Sequence, residues 1–191
     1  MPRSTGTKRA ILDATLELAA TKGITGTTMD EVAERAGVAK GSLYYNFSSK
    51  DRLFEELLQE GVGALADTLR EARAGLHGGA ALEALIGALL DRIASNTALA
   101  KLMASEIFRT DRTWQKTLFA LRHEALAVFA DAIAEARPGS RDDGTCGLMA
   151  SSVFGAVLMS GLEWLVFDPE RHRDEVAAAI LDSLSGGLLG D

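Results

Sequence analysis

Two short helical segments separated by a turn of about three residues, between Thr28 and Tyr45, constrain this chain more than any other feature. Thr28 is followed three positions later by Glu31. That is the spacing of a capping box, in which each side chain satisfies a backbone N–H at a helix start. Met29, Val32, Ala33 and Ala36 then recur at the steps of a helix with one apolar face. Gly37 supplies the left-handed residue on which helices commonly end. Val38 and Ala39 lead into a short third helix, about Lys40 to Tyr45, with Leu43 inward and Phe47 just beyond; Ala39 offers no side-chain cap. A turn this short makes the two helices cross steeply, at roughly 90–120°. The pair needs a brace behind it, and the segment from about Lys8 to Lys22 provides one. There Ile11, Leu12, Thr15, Leu18 and Ala19 hold the helical period and Gly23 stops it.

Beyond this trio the pattern stays helical. Ser48 and Ser49 open a fourth helix, with Asp51 placed at the positive end of its dipole. Leu53, Phe54, Leu57, Leu58, Val62, Leu65 and Leu69 keep one face apolar, which predicts a single helix from Lys50 to about Ala72. Residues 75–79, with three glycines, read as a loop. Further helices are predicted over about Ala81–Ser95, Leu99–Phe108, Thr113–Ala136, Thr145–Phe167 and Glu170–Leu189, with breaks at Asn96, Asp111, Pro138-Gly139 and Asp168-Pro169. No long stretch alternates as a strand does, and three prolines in 191 residues leave room for long helices. The expected fold is all-α: a three-helix helix-turn-helix domain over residues 1–52 and a larger helical domain over 53–191.

Charge and composition narrow the function. The net charge of −7 is unevenly spread. Residues 1–52 carry eight Lys or Arg against six Asp or Glu, leaving 12 basic and 21 acidic residues in the remainder. A mildly basic head on an acidic body permits phosphate contact at one end only. The single cysteine, Cys146, excludes an intrachain disulfide and a cysteine zinc cluster, and it fits a reducing compartment. The N-terminus, Met1-Pro2-Arg3-Ser4-Thr5-Gly6, has no apolar signal region, so a cytoplasmic location is expected. His77, His123 and His172 lie far apart, and no P-loop, nucleotide-binding glycine pattern or nucleophile elbow is present. No catalytic residue, metal ligand or cofactor is assigned, and the chain is not expected to be an enzyme.

The outward positions of the third helix suit a nucleic acid. Lys40 can bind phosphate or guanine, Ser42 a base or the backbone, Asn46 an adenine edge, and the hydroxyls of Tyr44 and Tyr45 a phosphate. Gly41 lets the backbone approach closely, and Lys50 stands beside the N-terminal amides of the fourth helix. The ungapped stretch from Thr27 to Lys50, TTMDEVAERAGVAKGSLYYNFSSK, closely resembles the DNA-binding signature of tetracycline-repressor (TetR) family regulators, and the likeness runs from about Lys8 to Leu58. It departs at Asn46, where that family often carries histidine. The resemblance implies contact with double-stranded DNA through Thr28, Lys40, Gly41, Ser42, Tyr44, Tyr45, Asn46 and Lys50. It further implies a repressor that binds a palindromic operator as a homodimer and is released by a small-molecule effector.

Thr145–Phe167 holds one charge, Glu163, over nearly the length of a membrane span. Ser151, Ser152 and Ser160 interrupt it and neither end has a strong basic cluster, so it reads as a helix buried in protein, with no membrane partner expected. The resemblance implies that the last two long helices pack against a second copy. Val153, Val157, Val176, Ile180 and Leu184 are assigned to that seam. It also implies an effector pocket among the middle helices, with Leu58, Val62, Met103, Ile107, Phe108, Trp114, Leu118, Phe154, Leu158 and Trp164 as candidates. Large apolar residues at helical spacing are more usually an ordinary core. Few charges share their faces, so a largely apolar effector is expected; Glu106, Arg109 and Glu163 can supply polar anchors, although surface ion pairing is the more ordinary role for each.

Overall fold

The computed structural model describes residues 3–106, 109, 112–136 and 144–185, the first three of them in backbone only. The effector candidates Ile107 and Phe108, the break at Pro138-Gly139 and the last residues of the expected final helix lie outside the described residues. All regular structure among the described residues is helical. In chain order the helices are α1 (Arg3–Gly26), α2 (Met29–Arg35), α3 (Lys40–Asn46), α4 (Lys50–Val62), α5 (Leu65–Ala72), α6 (Gly78–Ser95), α7 (Thr97–Glu106), α8 (Gln115–Ala136), α9 (Thr145–Phe167) and α10 (Arg173–Leu184). The chain forms two compact units, one of residues 1–63 with 101–119 and one of residues 64–100 with 120–191.

In the first unit α1 supplies the brace. Its apolar stripe buries Ile11, Leu12 and Ala19, and the buried hydroxyl of Thr15 donates to the Ile11 carbonyl 2.7 Å away, so the one polar group on that stripe is satisfied. The helix is interrupted at Gly23 (φ 74°, ψ 165°), where the sequence places its stop. Leu43 of α3 and Leu53, Phe54 and Leu58 of α4 are fully buried with Ile11 and Ile24. Leu102 of α7 and Trp114, just before α8, complete this core, and the Trp114 ring lies 5.7 Å from that of Phe54. The unit therefore reaches beyond the expected limit at residue 52, because the first turns of α4 belong to the core of α1–α3.

The expected single helix from Lys50 to Ala72 is two helices. Gly61 and Gly63 weaken it locally, at about 1 kcal/mol each relative to alanine, and α4 stops at Val62. A Cβ at residue 63 would run into the carbonyl oxygen of Gln59. The apolar period survives the break because α5 still buries Leu65, Ala66 and Leu69, now in the second unit.

The second unit is built on α6, which packs against α5, α9 and α10. Its apolar residues recur so densely that Leu85, Ile86, Leu89, Leu90 and Ile93 are all buried. Gly161 of α9 lets the backbone of that helix approach Leu90 and Ile93; an added Cβ would stand 3.1–3.2 Å from their methyl groups. Phe129 of α8 meets Phe154 of α9 edge to face, with centroids 6.2 Å apart. Arg173, at the start of α10, forks onto Asp91 of α6 with contacts of 2.9 and 3.0 Å. A cavity of about 290 Å³ opens among α6, α8, α9 and α10, lined by Leu82, Ile86, Ile133, Met149 and Leu181 among others.

Candidate nucleic-acid interface

The recognition surface rests on two well-closed helix ends. Thr28 is the N-cap of α2 (φ −111°, ψ 153°), and its hydroxyl accepts from the Glu31 N–H at 3.3 Å. The Glu31 carboxylate accepts in return from the Thr28 N–H at 2.9 Å and from the Thr28 hydroxyl at 2.8 Å. A further bond from Lys22, together with those from Thr28, lowers the Glu31 carboxyl to about 2. At the other end the Val38 N–H reaches the Ala33 carbonyl at 3.0 Å and the Gly37 N–H the Glu34 carbonyl at 3.1 Å. This is the Schellman pattern, and it needs the left-handed backbone that Gly37 adopts at φ 65°. The turn between α2 and α3 is thus fixed by backbone bonds rather than by the side chains facing outward.

On α3 the two faces separate cleanly. Leu43 and, at its end, Phe47 are buried at 0% and 3% exposure. Tyr45 is 90% exposed and Tyr44 51%, with Lys40, Gly41 and Ser42 on the open side and nothing within 4 Å of a Cβ added at Gly41. Lys40, Ser42, Tyr44 and Tyr45 therefore present an outward ridge of hydrogen-bonding groups on an anchored helix. As expected, Ala39 provides no side-chain cap.

The remaining predicted contacts are placed less freely. The Asn46 amide donates to the Ser42 carbonyl at 2.8 Å, which commits its NH₂ group to the helix. The Thr28 hydroxyl is engaged in the capping box. The Lys50 ammonium, half-buried, donates to the Thr25 carbonyl at 3.2 Å. Burial, and then the nearby Arg112 charge, holds it below the usual lysine value. Ser49 caps α4 by accepting from the Arg52 N–H.

Sequence reasoning missed how many of the head's cations face carboxylates. Lys8 meets Glu56, Arg9 Asp13, Lys22 Glu31, Arg35 Glu17, Lys40 Asp30 and Arg52 Glu55. Only the Arg9 and Arg52 pairs sit at the helical spacings that a sequence displays. The bond to Asp30, first, raises the Lys40 ammonium above its usual value.

The structure does not bring the effector candidates together in one unit. Leu58, Met103 and Trp114 belong to the core of the first, where Leu118 is also buried and Val62 half-buried. Phe154, Leu158 and Trp164 are half-buried in the second, and the Trp164 indole N–H donates to the Arg171 carbonyl at 2.9 Å. None of the ten lines the cavity among α6, α8, α9 and α10, whereas Trp164, with Glu163, lines a larger and more open hollow between α9 and α10. Of the anchors, Glu106 is buried and bonded to Arg112 at 3.2 Å.

The residues assigned to the seam differ in how far they face outward. Val153, Val157, Val176 and Ile180 are largely buried within the chain, packed between α9, α10 and α6, while Val176 and Ile180 also line an open groove between α9 and α10. Of the five, Leu184 is exposed. The outward stripe of α9 carries Leu148, Met159, Val166 and Phe167 instead, with Glu163 among them. The apolar period of a nearly uncharged helix does not reveal which side its own subunit covers. By length and composition α9 could also cross a membrane.

With this geometry established, comparison with known proteins gives a consistent result. Residues 11–57 match the profile of "Bacterial regulatory proteins, tetR family". Over 97 residues the chain is 37% identical to the HTH-type transcriptional repressor KstR2 of Rhodococcus jostii (strain RHA1), an alignment covering 50% of this chain and 48% of that one. The chain thus spans about half the length of that curated relative. A Clostridium perfringens protein described as a fatty acid metabolism regulator has the same fold at TM-score 0.80 and 27% identity, over 95% of this chain and 100% of that one. The transcriptional regulator FadR of Bacillus subtilis, solved with stearoyl-CoA, matches at TM-score 0.76 and 19% identity, over 94% and 98%. The family match runs from within α1 to within α4, the elements that build the exposed ridge, and over residues 11–57 the chain carries the N-terminal module of the tetR family of bacterial regulatory proteins.

Proposed function

We propose that this protein is a ligand-responsive transcriptional repressor, cytoplasmic, that binds a palindromic DNA operator as a homodimer and is released by a small, largely apolar effector. The observation that carries the reading is the outward ridge of α3, with Tyr45 at 90% exposure on a helix whose opposite side is buried. An aromatic so exposed gains nothing for folding, whereas on a helix of this kind it can meet phosphates or base edges in a major groove. The site residues proposed for DNA contact are Lys40, Gly41, Ser42, Tyr44 and Tyr45, with Lys50 and, more peripherally, Thr28 and Asn46.

Dimerisation is supported by the outward stripe of α9. Leu148 is 73% and Phe167 75% exposed, an apolar surface that water leaves uncovered at a cost. A lipid bilayer fits it poorly, because Val153, Val157 and Gly161 of the same helix are buried in protein and the charge of Glu163 lies on the open side. A second copy of the same helix covers the stripe and doubles the number of recognition helices, which multiplies weak half-site affinities.

The effector reading is supported by the apolar cavity of the second unit and by the stearoyl-CoA held by the Bacillus subtilis regulator, which favours a molecule carrying an acyl chain. An effector acts only by binding one state of the protein better than the other. Because α4 stops at Val62, the continuous helices with residues in both units are α7 and α8, and we assign the coupling to them.

The test is fluorescence anisotropy with a duplex that the protein selects from a random pool. Tyr45→Ala is expected to weaken binding by about tenfold or more, within the 1–3 kcal/mol of a good base or stacking contact, and an acyl-CoA to release the wild-type complex. A protein that selects no duplex sinks the DNA reading; selection without release by any acyl-CoA sinks the effector class alone.

A further inference from the structure

We propose that Arg112 is a positioning residue for DNA contact, acting on Lys50 through Thr25. The inference rests on the reading of Lys50 as a phosphate contact.

Thr25 is exposed, two residues after the left-handed Gly23 and between Gly26 and the buried Ile24. Two cations far away in sequence grip it from different sides. Lys50 Nζ donates to its carbonyl oxygen at 3.2 Å, and Arg112 Nη2 donates to its hydroxyl at 2.8 Å. The residue whose carbonyl receives Lys50 is therefore the one whose side chain receives Arg112.

Arg112 is firmly placed. Its Nε lies 3.2 Å from the carboxylate of Glu106, a side chain only 6% exposed. Parting a buried carboxylate from its cation is costly, so the pair resists separation. The guanidinium also lies 5.5 Å from the centre of the Trp114 ring, and Trp114 packs against Phe54 of α4. Arg112 thus refers Thr25 to the same core that carries α4, of which Lys50 is the first residue. A lysine whose resting partner is fixed relative to its own helix loses less freedom when it closes on a phosphate.

The geometry separates this role from direct DNA contact by Arg112. Its donors face Glu106 and Thr25 and its face covers Trp114, while its side chain is 16% exposed.

The probe is Thr25→Val, which keeps the branched shape and the carbonyl and deletes the hydroxyl that receives Arg112. Arg112 itself is left intact, since its removal would leave the buried Glu106 with only the longer contact to Arg109 at 3.8 Å. Binding to a labelled random-sequence duplex is measured by anisotropy as a function of salt, in the native and Lys50→Ala backgrounds. Thr25→Val is expected to weaken binding about threefold to tenfold in the native background and not at all with Lys50→Ala, the non-additivity of groups acting as one. Thr25→Ser, which restores the hydroxyl, is expected to restore affinity. Lys50→Ala alone is expected to lower the salt slope by about one. If Lys50→Ala weakens binding and Thr25→Val is silent or weakens both backgrounds equally, the positioning role is overturned. If Lys50→Ala changes neither affinity nor slope, the reading of Lys50 falls and takes the inference with it.

Discussion

The ammonium of Lys40 lies 2.6 Å from a carboxylate oxygen of Asp30, so the one cation of the recognition helix is paired across to α2 in the free protein. Asp30 competes with any phosphate for it. Asp30→Asn is expected to tighten binding to duplex DNA about fivefold to tenfold near 0.1 M salt and to steepen the salt slope by about one, the effect of one additional phosphate contact. Anisotropy titrations at several salt concentrations check it, and an unchanged slope would place Lys40 away from the DNA backbone.

The two faces of α3 should respond oppositely to truncation. Leu43 is 0% exposed, so Leu43→Ala should cost about 2–5 kcal/mol of stability by urea unfolding. Tyr45→Ala should leave stability within about 0.5 kcal/mol while weakening DNA binding. A Tyr45→Ala variant as unstable as Leu43→Ala would mean that the tyrosine is a packing residue.

For assembly the informative contrast is between α9 and α10. Met159 is 63% exposed on the outward stripe, whereas Ile180 is 4% exposed inside the subunit. Met159→Asp is expected to yield folded monomers in sedimentation experiments, because a lone charge at a covered seam is costly. Ile180→Asp is expected to unfold the chain instead. Monomers that stay fully folded in Ile180→Asp would restore the seam read from the sequence.

The acid response of α2 follows from Glu31, whose carboxyl is lowered from 4.5 to about 2 by Lys22 and Thr28. A lowered value means that the folded state holds the proton less tightly than the unfolded chain. Its contribution is complete above pH 4.5 and fades as pH falls toward about 2. Glu31→Gln keeps the acceptor of the capping box and removes the charge. The difference in melting temperature between Glu31→Gln and wild type should be constant above pH 5 and vanish between about 4.5 and 2. A gap that persists below this range would assign the effect to shape rather than charge.

Local features were legible wherever one short segment carries the whole mechanism. Thr28 with Glu31, and Gly37 with its neighbours, announce a start and a stop within a few residues, and the structure shows both. The split at Gly63 was hidden because the apolar period runs through it: Leu65 and Leu69 continue the pattern of Leu57 and Leu58 while serving another core. Arg112 was invisible as a partner of Thr25 for a different reason. They lie 87 positions apart, and no period or motif connects them. The inward placement of Val176 and Ile180 shows the same limit from the other side, since a stripe reveals that a helix is covered and not by whom.

Because Leu102 and Trp114 fill the space beside Phe54 and Leu58, the recognition trio does not come away as a cassette. A fragment cut after Gly63 would expose the aromatic and leucine faces that those later residues cover, and would arrive half-built in any chimera that borrowed it. Swapping operator preference between such regulators therefore calls for exchanging the outward residues of α3 alone, leaving the scaffold under them in its own chain.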